Sequence, residues 1–476
     1  VSVPDLAGRR VVVAGLARSG VAACQALVDR GAVVTALDSA TDGPVLQRAE
    51  QAERLGVRVV LGPDAQTLPG EVDLVVASPG WKPHAPLLQA AERRGVQTWG
   101  EVELAWQLRG PDPAPWLVVT GTNGKTTTTR MLESILQADG RAALAVGNIG
   151  VPLVSVVTGP TRYDCLAVEL GSPQLHSVRS VSAHAAAVLN LAPDHIDWHG
   201  SFEAYRAAKR VAYDRCEAVA VVNADDPETS RLAGEARLGP QCRTVAFTLA
   251  TPAPGQLGVV DDLLVERSGT RDQVVLASVA DVHPAAPHNT ANALAAAALA
   301  RSVDVAPGSV AQGLRRFVAE PHRITLVAEV DGVQWVDDSK ATNTHAAHTS
   351  LRAYPSVVWV AGGLAKGGEF DGLVLAEAAR LRGAVLLGTD RDRIAEALAR
   401  HAPAIPVVEV SGEQTDHMPL MDRVVTAAAA LARPGDTVLL APACASWDQF
   451  ADYTERGRAF ADAVARLVVA DAGDRP

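Results

Sequence analysis

The chain has 476 residues, enough for about three domains at roughly 150 residues each, and its 48% hydrophobic and 20% charged composition is that of an ordinary globular protein. A formal net charge of −11 argues against a nucleic-acid partner held mainly through phosphates. No apolar run approaches the ~20 residues of a membrane span.

The cysteines, Cys24, Cys165, Cys216, Cys242 and Cys444, lie far apart with no C-x-x-C pair. The opening VSVPDLAGRR runs straight into a strand-like stretch without a signal-peptide h-region. Both features lead us to expect a cytoplasmic chain with buried or incidental thiols. There are five lysines, Lys82, Lys125, Lys209, Lys340 and Lys366, and every other Lys-or-Arg position is Arg. A lysine that persists against such a bias is a candidate for a task that a planar, non-nucleophilic guanidinium cannot perform; chance survival on the surface is the alternative.

Apolar β-type runs alternate with Ala-rich helical patterns, which predicts an α/β protein with largely parallel sheets. The Pro-rich RGPDPAPW (Arg109 to Trp116) reads as a linker, and RFVAEPHRITLV (Arg316 to Val327) breaks the pattern again. Three domains are therefore expected, about 1–112, 113–319 and 320–476.

The first domain opens RRVVVAGLARSGVAACQALVDRGAVVTALD: strand, tight turn, helix, and a second strand ending at Asp38. Its turn matches G-x-G-x-x-G except that Ala17 takes the second Gly position, which normally lets backbone approach a pyrophosphate. A nucleotide other than NAD is the expected occupant; a tight turn in an empty Rossmann-like domain is the alternative. In ASPG, Ser78 and Gly80 follow the run VDLVV at a second strand end.

WLVVTGTNGKTTTTRML (Trp116 to Leu132) predicts a strand, a loop and a helix beginning at Lys125-Thr126. It resembles a phosphate loop, although Val119 stands where the usual motif has Gly. Backbone N–H groups of Gly121, Thr122, Asn123 and Gly124 would cradle phosphates, with Lys125 reaching the outer ones and Thr126 offering a hydroxyl to Mg²⁺. Glu169 ends the apolar run YDCLAVE, where an acid faces the phosphates. AAAVLNLAPDHIDWHG ends a buried strand in a loop crowded with Asp194, His195, Asp197 and His199. Lys209, in FEAYRAAKRVAY, looks by local pattern alone like a helix-surface lysine.

TGTNGKTT, GNIG (Gly147 to Gly150), NLAPDHIDWHGSFEAYRAAK, PHNTANALAAAALA and PHR (Pro321 to Arg323) together resemble the Mur ligases, ATP-dependent amide ligases of peptidoglycan synthesis. The resemblance covers nearly the whole chain. It implies a Rossmann-like N-terminal domain that binds a UDP-sugar, a central P-loop ATPase-type α/β domain, and a Rossmann-like C-terminal domain that binds an amino acid. DDSKATNTHAA, VAGGLAKGGEFDGL and LLAPACASWDQFADYTERGRAF look like the branch that adds D-glutamate to UDP-N-acetylmuramoyl-L-alanine through an acyl phosphate.

By this resemblance Gly121 to Thr127 bind ATP, with Lys125 and Thr126 on its phosphates. Thr126, Glu169 and His195 serve two Mg²⁺ sites, and Lys209 matches a lysine carbamylated by CO₂. Lys125, His195, Lys209 and Lys340 would be catalytic. Asn289 and Asn292 match adenine-side contacts, and Arg323, Asp338 and Lys340 match ATP contacts of the third domain. Thr342, Lys366, Ser446 and Tyr453 fall where D-glutamate binds; Leu16, Ser19, Asp38, Gly80 and Asn148 fall at the UDP-sugar. The chain is expected to work as a monomer with small-molecule partners, without nucleic acid or a membrane span. One departure is ELGSPQL where the family reads ELSSFQL: Gly171 replaces a hydroxyl and Pro173 an aromatic. Competing readings are a sibling ligase adding L-alanine or a diamino acid, a nucleotide-dependent oxidoreductase, and a mechanical phosphate-loop NTPase.

Overall fold

A computed structural model describes residues 4–267, 273–319, 321–411 and 418–473. The boundary expected at 319–320 touches residue 320, which lies outside the described residues. The chain divides into two compact units, Val1–Val282 with Asn289–Phe317, and His283–His288 with Val318–Pro476. The first unit carries two sheets and the second carries one.

The first sheet is formed by β1 (Arg10–Ala14), β2 (Val33–Asp38), β3 (Arg58–Leu61), β4 (Leu74–Ala77) and β5 (Thr98–Gly100). Its order is β3-β2-β1-β4-β5, all parallel. The order reverses between β1 and β4, and the crevice of an open sheet forms at such a switch point. Its helices are α1 (Arg18–Val28), α2 (Pro44–Arg54), α3 (Pro86–Arg93) and α4 (Glu101–Leu108). Gly20 is needed where α1 meets the turn, because a Cβ there would lie 1.8 Å from the Gly15 carbonyl oxygen.

The central sheet uses β6 (Trp116–Thr120), β7 (Ala143–Gly147), β8 (Cys165–Glu169), β9 (Ala185–Val188), β10 (Val219–Asn223), β11 (Arg243–Phe247), β12 (Gln256–Val260), β13 (Leu263–Arg267) and β14 (Gln273–Ser278). Its order is β14-β13-β12-β11-β10-β9-β6-β8-β7. The strands from β7 through β12 are parallel, and β13 and β14 extend the sheet antiparallel. Its helices are α5 (Lys125–Ala138), α6 (Leu153–Thr158), α7 (Ser172–His176), α8 (Ile196–His199), α9 (Phe202–Arg210), α10 (Pro227–Glu235), α11 (Pro287–Arg301) and α12 (Pro307–Arg316). Strands β6, β8 and β9 are buried along their whole length, as expected of parallel strands covered on both faces. β6 lies between β8 and β9, so the loop after β6 opens at this sheet's switch point.

RGPDPAPW does not separate two compact bodies. The Arg109 guanidinium lies over the Trp106 ring, and Trp106 meets Trp116 edge-on at 4.8 Å. One buried cluster runs from the first sheet into the central one.

The second unit holds β15 (Thr325–Val330), β16 (Val333–Asp337), β17 (Val357–Gly362), β18 (Leu381–Leu387), β19 (Val407–Glu409) and β20 (Thr437–Leu440), in the order β15-β16-β20-β17-β18-β19. Only β15 is antiparallel to its neighbour. Helices α13 (Thr344–Leu351), α14 (Asp371–Glu377), α15 (Arg391–His401), α16 (Leu420–Leu431) and α17 (Tyr453–Gly473) complete it. No helix among the described residues is long and apolar enough to cross a membrane.

Candidate active site

Val119 is still strand, fully buried in β6, so the phosphate loop begins only at Gly121 and the usual first Gly has no place in it. Gly121 (φ 151°) and Gly124 (φ 82°) take backbone conformations that other residues rarely adopt. A Cβ on Gly124 would lie 2.4 Å from Asn292 Oδ1, so α11 packs directly on the loop. Asn292 Nδ2 donates to Asn289 Oδ1 at 3.2 Å, and both residues are buried.

The loop after β9 supports the phosphate loop from the other side. Asn190 exchanges two hydrogen bonds with the Asn123 backbone, at 2.8 and 3.1 Å, and its carbonyl accepts from Thr122 N–H. The Thr122 hydroxyl pairs with the Tyr205 hydroxyl at 2.8 Å. Lys125 Nζ lies over its own loop, donating to the Gly121 and Thr122 carbonyls at 3.0 and 2.8 Å. Thr126 and Thr127 are buried at the start of α5.

Glu169 ends β8 beside the loop and is 1% exposed. Its Oε1 accepts from Asn148 Nδ2 at 2.8 Å, while its buried Oε2 has no hydrogen-bond partner. A buried carboxylate oxygen left unsatisfied is costly. Mg²⁺ favours oxygen donors, and this unsatisfied buried carboxylate oxygen fits a magnesium ion. Among the described residues no group of three or more His, Cys, Asp and Glu side chains gathers as a metal cluster. His195 is exposed, held at φ 53° as the residue before α8, with Nε2 3.8 Å from Asp194 Oδ2.

Lys209 is not a surface residue. It is 1% exposed, and Nζ donates to Thr120 Oγ1 at 2.9 Å and to the Gly121 carbonyl at 2.7 Å. The Thr120 hydroxyl spends its own proton on the Leu170 carbonyl. Burial, reinforced by the Lys125 charge, pushes the Lys209 ammonium well below the usual lysine range. Its pattern on α9 misled because the helix is capped by Ser201 and carries exposed charge on its other face.

The departing residues at 171 and 173 are absorbed locally. Gly171 precedes α7, its N–H donating to Gln174 Oε1 at 2.9 Å, and Pro173 occupies the first turn, where its missing N–H costs nothing.

At the first sheet's switch point Asp38 accepts from Leu16 N–H at 2.7 Å and Ala40 N–H at 3.0 Å. The Leu16 side chain is buried in the core, so it is the backbone of this residue that faces Asp38. Ser19 is half-buried and Gly80 exposed, and Ser78 Oγ donates to the Gly15 carbonyl at 3.2 Å. A cavity of about 450 Å³, lined by Ser78, Trp81, Leu88, Pro173 and Trp198 among others, opens between the first sheet and α7–α8. Asn148, also expected at the UDP-sugar, donates its side-chain amide to Glu169 and does not line this cavity.

In the second unit, the ends of β16, β17 and β20 carry the remaining candidates. Asp338 is buried, accepts from the Ser350 hydroxyl and from Ile324 N–H, and burial pushes its carboxyl up to about 6. Lys340 Nζ lies 3.8 Å from the centre of the Tyr453 ring, and Lys366 Nζ lies 3.9 Å from that of Trp447. Lys366 itself is held at φ 48°. Ser446 is buried, while Arg323 and Thr342 are half-buried. Arg456, which the sequence reading overlooked, is 1% exposed and ties the three strand ends together. It donates to Ser339 Oγ and to the carbonyls of Ser339, Cys444 and Gly362, at 2.8–3.5 Å. Tyr205 and Asn190 were likewise passed over; neither residue type is a metal ligand or nucleophile by habit, and only the fold brings them to the loop.

Models of three family domains match the chain in order: the Mur ligase MurD-like N-terminal domain over residues 9–100, the Mur ligase middle domain over 119–300, and the Mur ligase glutamate ligase domain over 322–444. The chain is 56% identical to the UDP-N-acetylmuramoylalanine–D-glutamate ligase of Streptomyces coelicolor, over 97% of this chain and 99% of that one. It is 55% identical to the ligase of the same name from Thermobifida fusca, with equal coverage. Among solved structures, UDP-N-acetylmuramate-alanine ligase MurC from Thermotoga maritima shares the fold, with a TM-score of 0.56 at 16% identity, over 96% of this chain and 99% of that one. Full-length likeness at this identity, on a scaffold with a phosphate loop at its central switch point, shows that the chain belongs to the Mur ligases.

Proposed function

We propose that this chain joins D-glutamate to UDP-N-acetylmuramoyl-L-alanine, converting one ATP to ADP and phosphate. As a Mur ligase it is an ATP-dependent amide ligase of peptidoglycan synthesis; the names of its relatives support the choice of substrates. The acceptor carboxylate attacks the γ-phosphorus, the bond to ADP breaks, and an acyl phosphate forms. The neutral amine of D-glutamate then adds to the acyl carbon, and collapse of the tetrahedral intermediate expels phosphate and leaves the amide. Negative charge gathers first on phosphoryl oxygens and then on the oxyanion, so the site must present cations and N–H donors to one point.

In this reading Gly121 to Thr127 hold the phosphates, with Lys125 released from its own loop carbonyls to meet them. Asn289 and Asn292 form the adenine side, and Arg323, Asp338 and Lys340 complete the ATP contacts. Thr126, Glu169, His195 and a carbamate on Lys209 would hold Mg²⁺, which when bound supplies charge stabilisation at the phosphoryl oxygens. The Lys209 carbamate is supported by chemistry: a neutral amine whose two N–H groups are both engaged keeps its lone pair free for CO₂, releasing one proton. Leu16, Ser19, Asp38, Gly80 and Asn148 take the UDP-sugar; Thr342, Lys366, Ser446 and Tyr453 take D-glutamate.

The observation that carries the reading is the buried Glu169 with its unsatisfied Oε2 beside a phosphate loop. The test measures ADP release with a panel of UDP-muramoyl acceptors and amino acids. ADP and amide should appear with UDP-N-acetylmuramoyl-L-alanine and D-glutamate but not L-glutamate. Turnover with L-alanine or a diamino acid, and none with D-glutamate, would overturn it.

A further inference from the structure

Helix α4 presents two carboxylates in its first turn, and neither meets water. Glu101 is 5% exposed and Glu103 is 1% exposed. Glu101 Oε1 accepts from Val154 N–H at 2.7 Å, at the start of α6. Glu103 Oε2 accepts from the N–H groups of Arg179 and Ser180 at 2.7 and 3.0 Å, and its Oε1 accepts from the Ser180 hydroxyl and from Gln107 Nε2. Gly100, just ahead of α4, is pressed against the same segment: a Cβ there would lie 2.9 Å from Ser177 Cβ. A helix that follows the first sheet thus grips two segments belonging to the central one.

Both segments lead directly to Glu169. The Gly147–Gly150 loop runs into α6, and within it Asn148 binds Glu169 twice. Its side chain donates to Oε1 and its backbone N–H donates to the Glu169 carbonyl, both at 2.8 Å. Gly147 lies so close that a Cβ would sit 2.3 Å from that carbonyl oxygen. On the other flank, Leu170 and Gly171 join Glu169 to α7, and the segment gripped by Glu103 is where the chain leaves α7.

Burying two carboxylates is expensive, and apolar side chains would fill the same space at lower cost. What carboxylates supply and apolar packing does not is fixed registration, because each oxygen accepts only where an N–H points at it. We propose that Glu101 and Glu103 are positioning residues for the metal-facing carboxylate: they clamp the start of α6 and the exit of α7, and so fix the Asn148–Glu169 pair against the phosphate loop. The proposal rests on the reading of Glu169 as a magnesium ligand. It gives the first sheet a second task besides holding the acceptor, that of setting the metal geometry of the next sheet.

The test uses the full-length protein with ADP and Mn²⁺, a spin probe for the magnesium site, together with amide hydrogen exchange. Glu101→Ala, Glu103→Ala and the milder Ser180→Ala are compared with Glu101→Gln, which keeps an acceptor oxygen, and with Glu169→Gln. Outer-shell losses cost about 10–100-fold in metal affinity. Glu101→Ala and Glu103→Ala should weaken Mn²⁺ binding about tenfold. Ser180→Ala should weaken it less, and Glu101→Gln should stay within about twofold of wild type. Amides of Asn148 to Gly150 should exchange faster in the alanine variants, while those of β10 and β11 should not change. Wild-type Mn²⁺ affinity in folded Glu103→Ala, or in Ser180→Ala should Glu103→Ala fail to fold, overturns the proposal. Wild-type affinity in Glu169→Gln overturns the magnesium reading itself, and the positioning role falls with it.

Discussion

Glu101 offers a sharp test of buried-charge energetics. Burial pushes its carboxyl up to about 7 from an ordinary 4.5, against the stabilising N–H groups of Val154 and Leu153. The sign follows from proton counting. Between those two values the folded protein holds a proton on Glu101 that the unfolded chain has released, so stability falls as pH rises through this window and levels off above about 7. The interval from 4.5 to about 7 corresponds to about 3.5 kcal/mol at ~1.4 kcal/mol per pH unit. Glu101→Gln, which cannot titrate and keeps an oxygen for Val154 N–H, removes that slope. In a protein with more than one compact unit a single unfolding free energy is ill-defined. The quantity to measure is therefore the difference in midpoint between variant and wild type at pH 5 and again at pH 8, by thermal and urea unfolding; other titrating groups cancel in it. The variant should gain on wild type as pH rises. Glu103→Gln should show no such gain. Although burial opposes it, the hydrogen bonds from Ser180, Gln107 and Arg179 hold the Glu103 carboxyl below its usual value, so its contribution is present above that value and lost only as acid protonates it. An equal or reversed difference for Glu101→Gln would refute the reasoning.

Lys209→Arg should be as inactive as Lys209→Ala, because a guanidinium forms no carbamate and is too large for a site where Nζ is already enclosed by Thr120 and Gly121; added acetate should partly restore the alanine variant alone, and an active Arg variant refutes the carbamate. Gly124→Ala should weaken ATP binding by more than about tenfold, or ~1.4 kcal/mol, as measured by calorimetry, since its Cβ would strike Asn292 Oδ1 and its φ of 82° disfavours any side chain. Gly171→Ser should be nearly neutral for stability and ADP release, because the nearest atoms to a Cβ there stand at 3.5–3.6 Å; a large loss in either assay would mean that this turn tolerates no side chain.

The sequence by itself determined the elements that local chemistry dictates. Alternating strands and helices, the glycine turn after β1, the phosphate loop between β6 and α5, and the acid at the end of β8 are all local patterns, set by backbone periodicity and by where a chain can turn. The tertiary structure alone decided which of these groups meet. Lys209 reads as a helix-surface lysine, and only the fold buries it, with its Nζ on Thr120 and the Gly121 carbonyl. Nothing in the sequence singles out Glu101 and Glu103, because the backbone N–H groups they accept from lie 53 and 76 or more residues away along the chain. The Pro-rich stretch after α4 reads as a free linker, yet the Trp106–Arg109–Trp116 stack and those two carboxylates fasten the first sheet to the central one. A hydrogen bond depends on distance and direction in space, and sequence spacing fixes those only within a turn or two of one element.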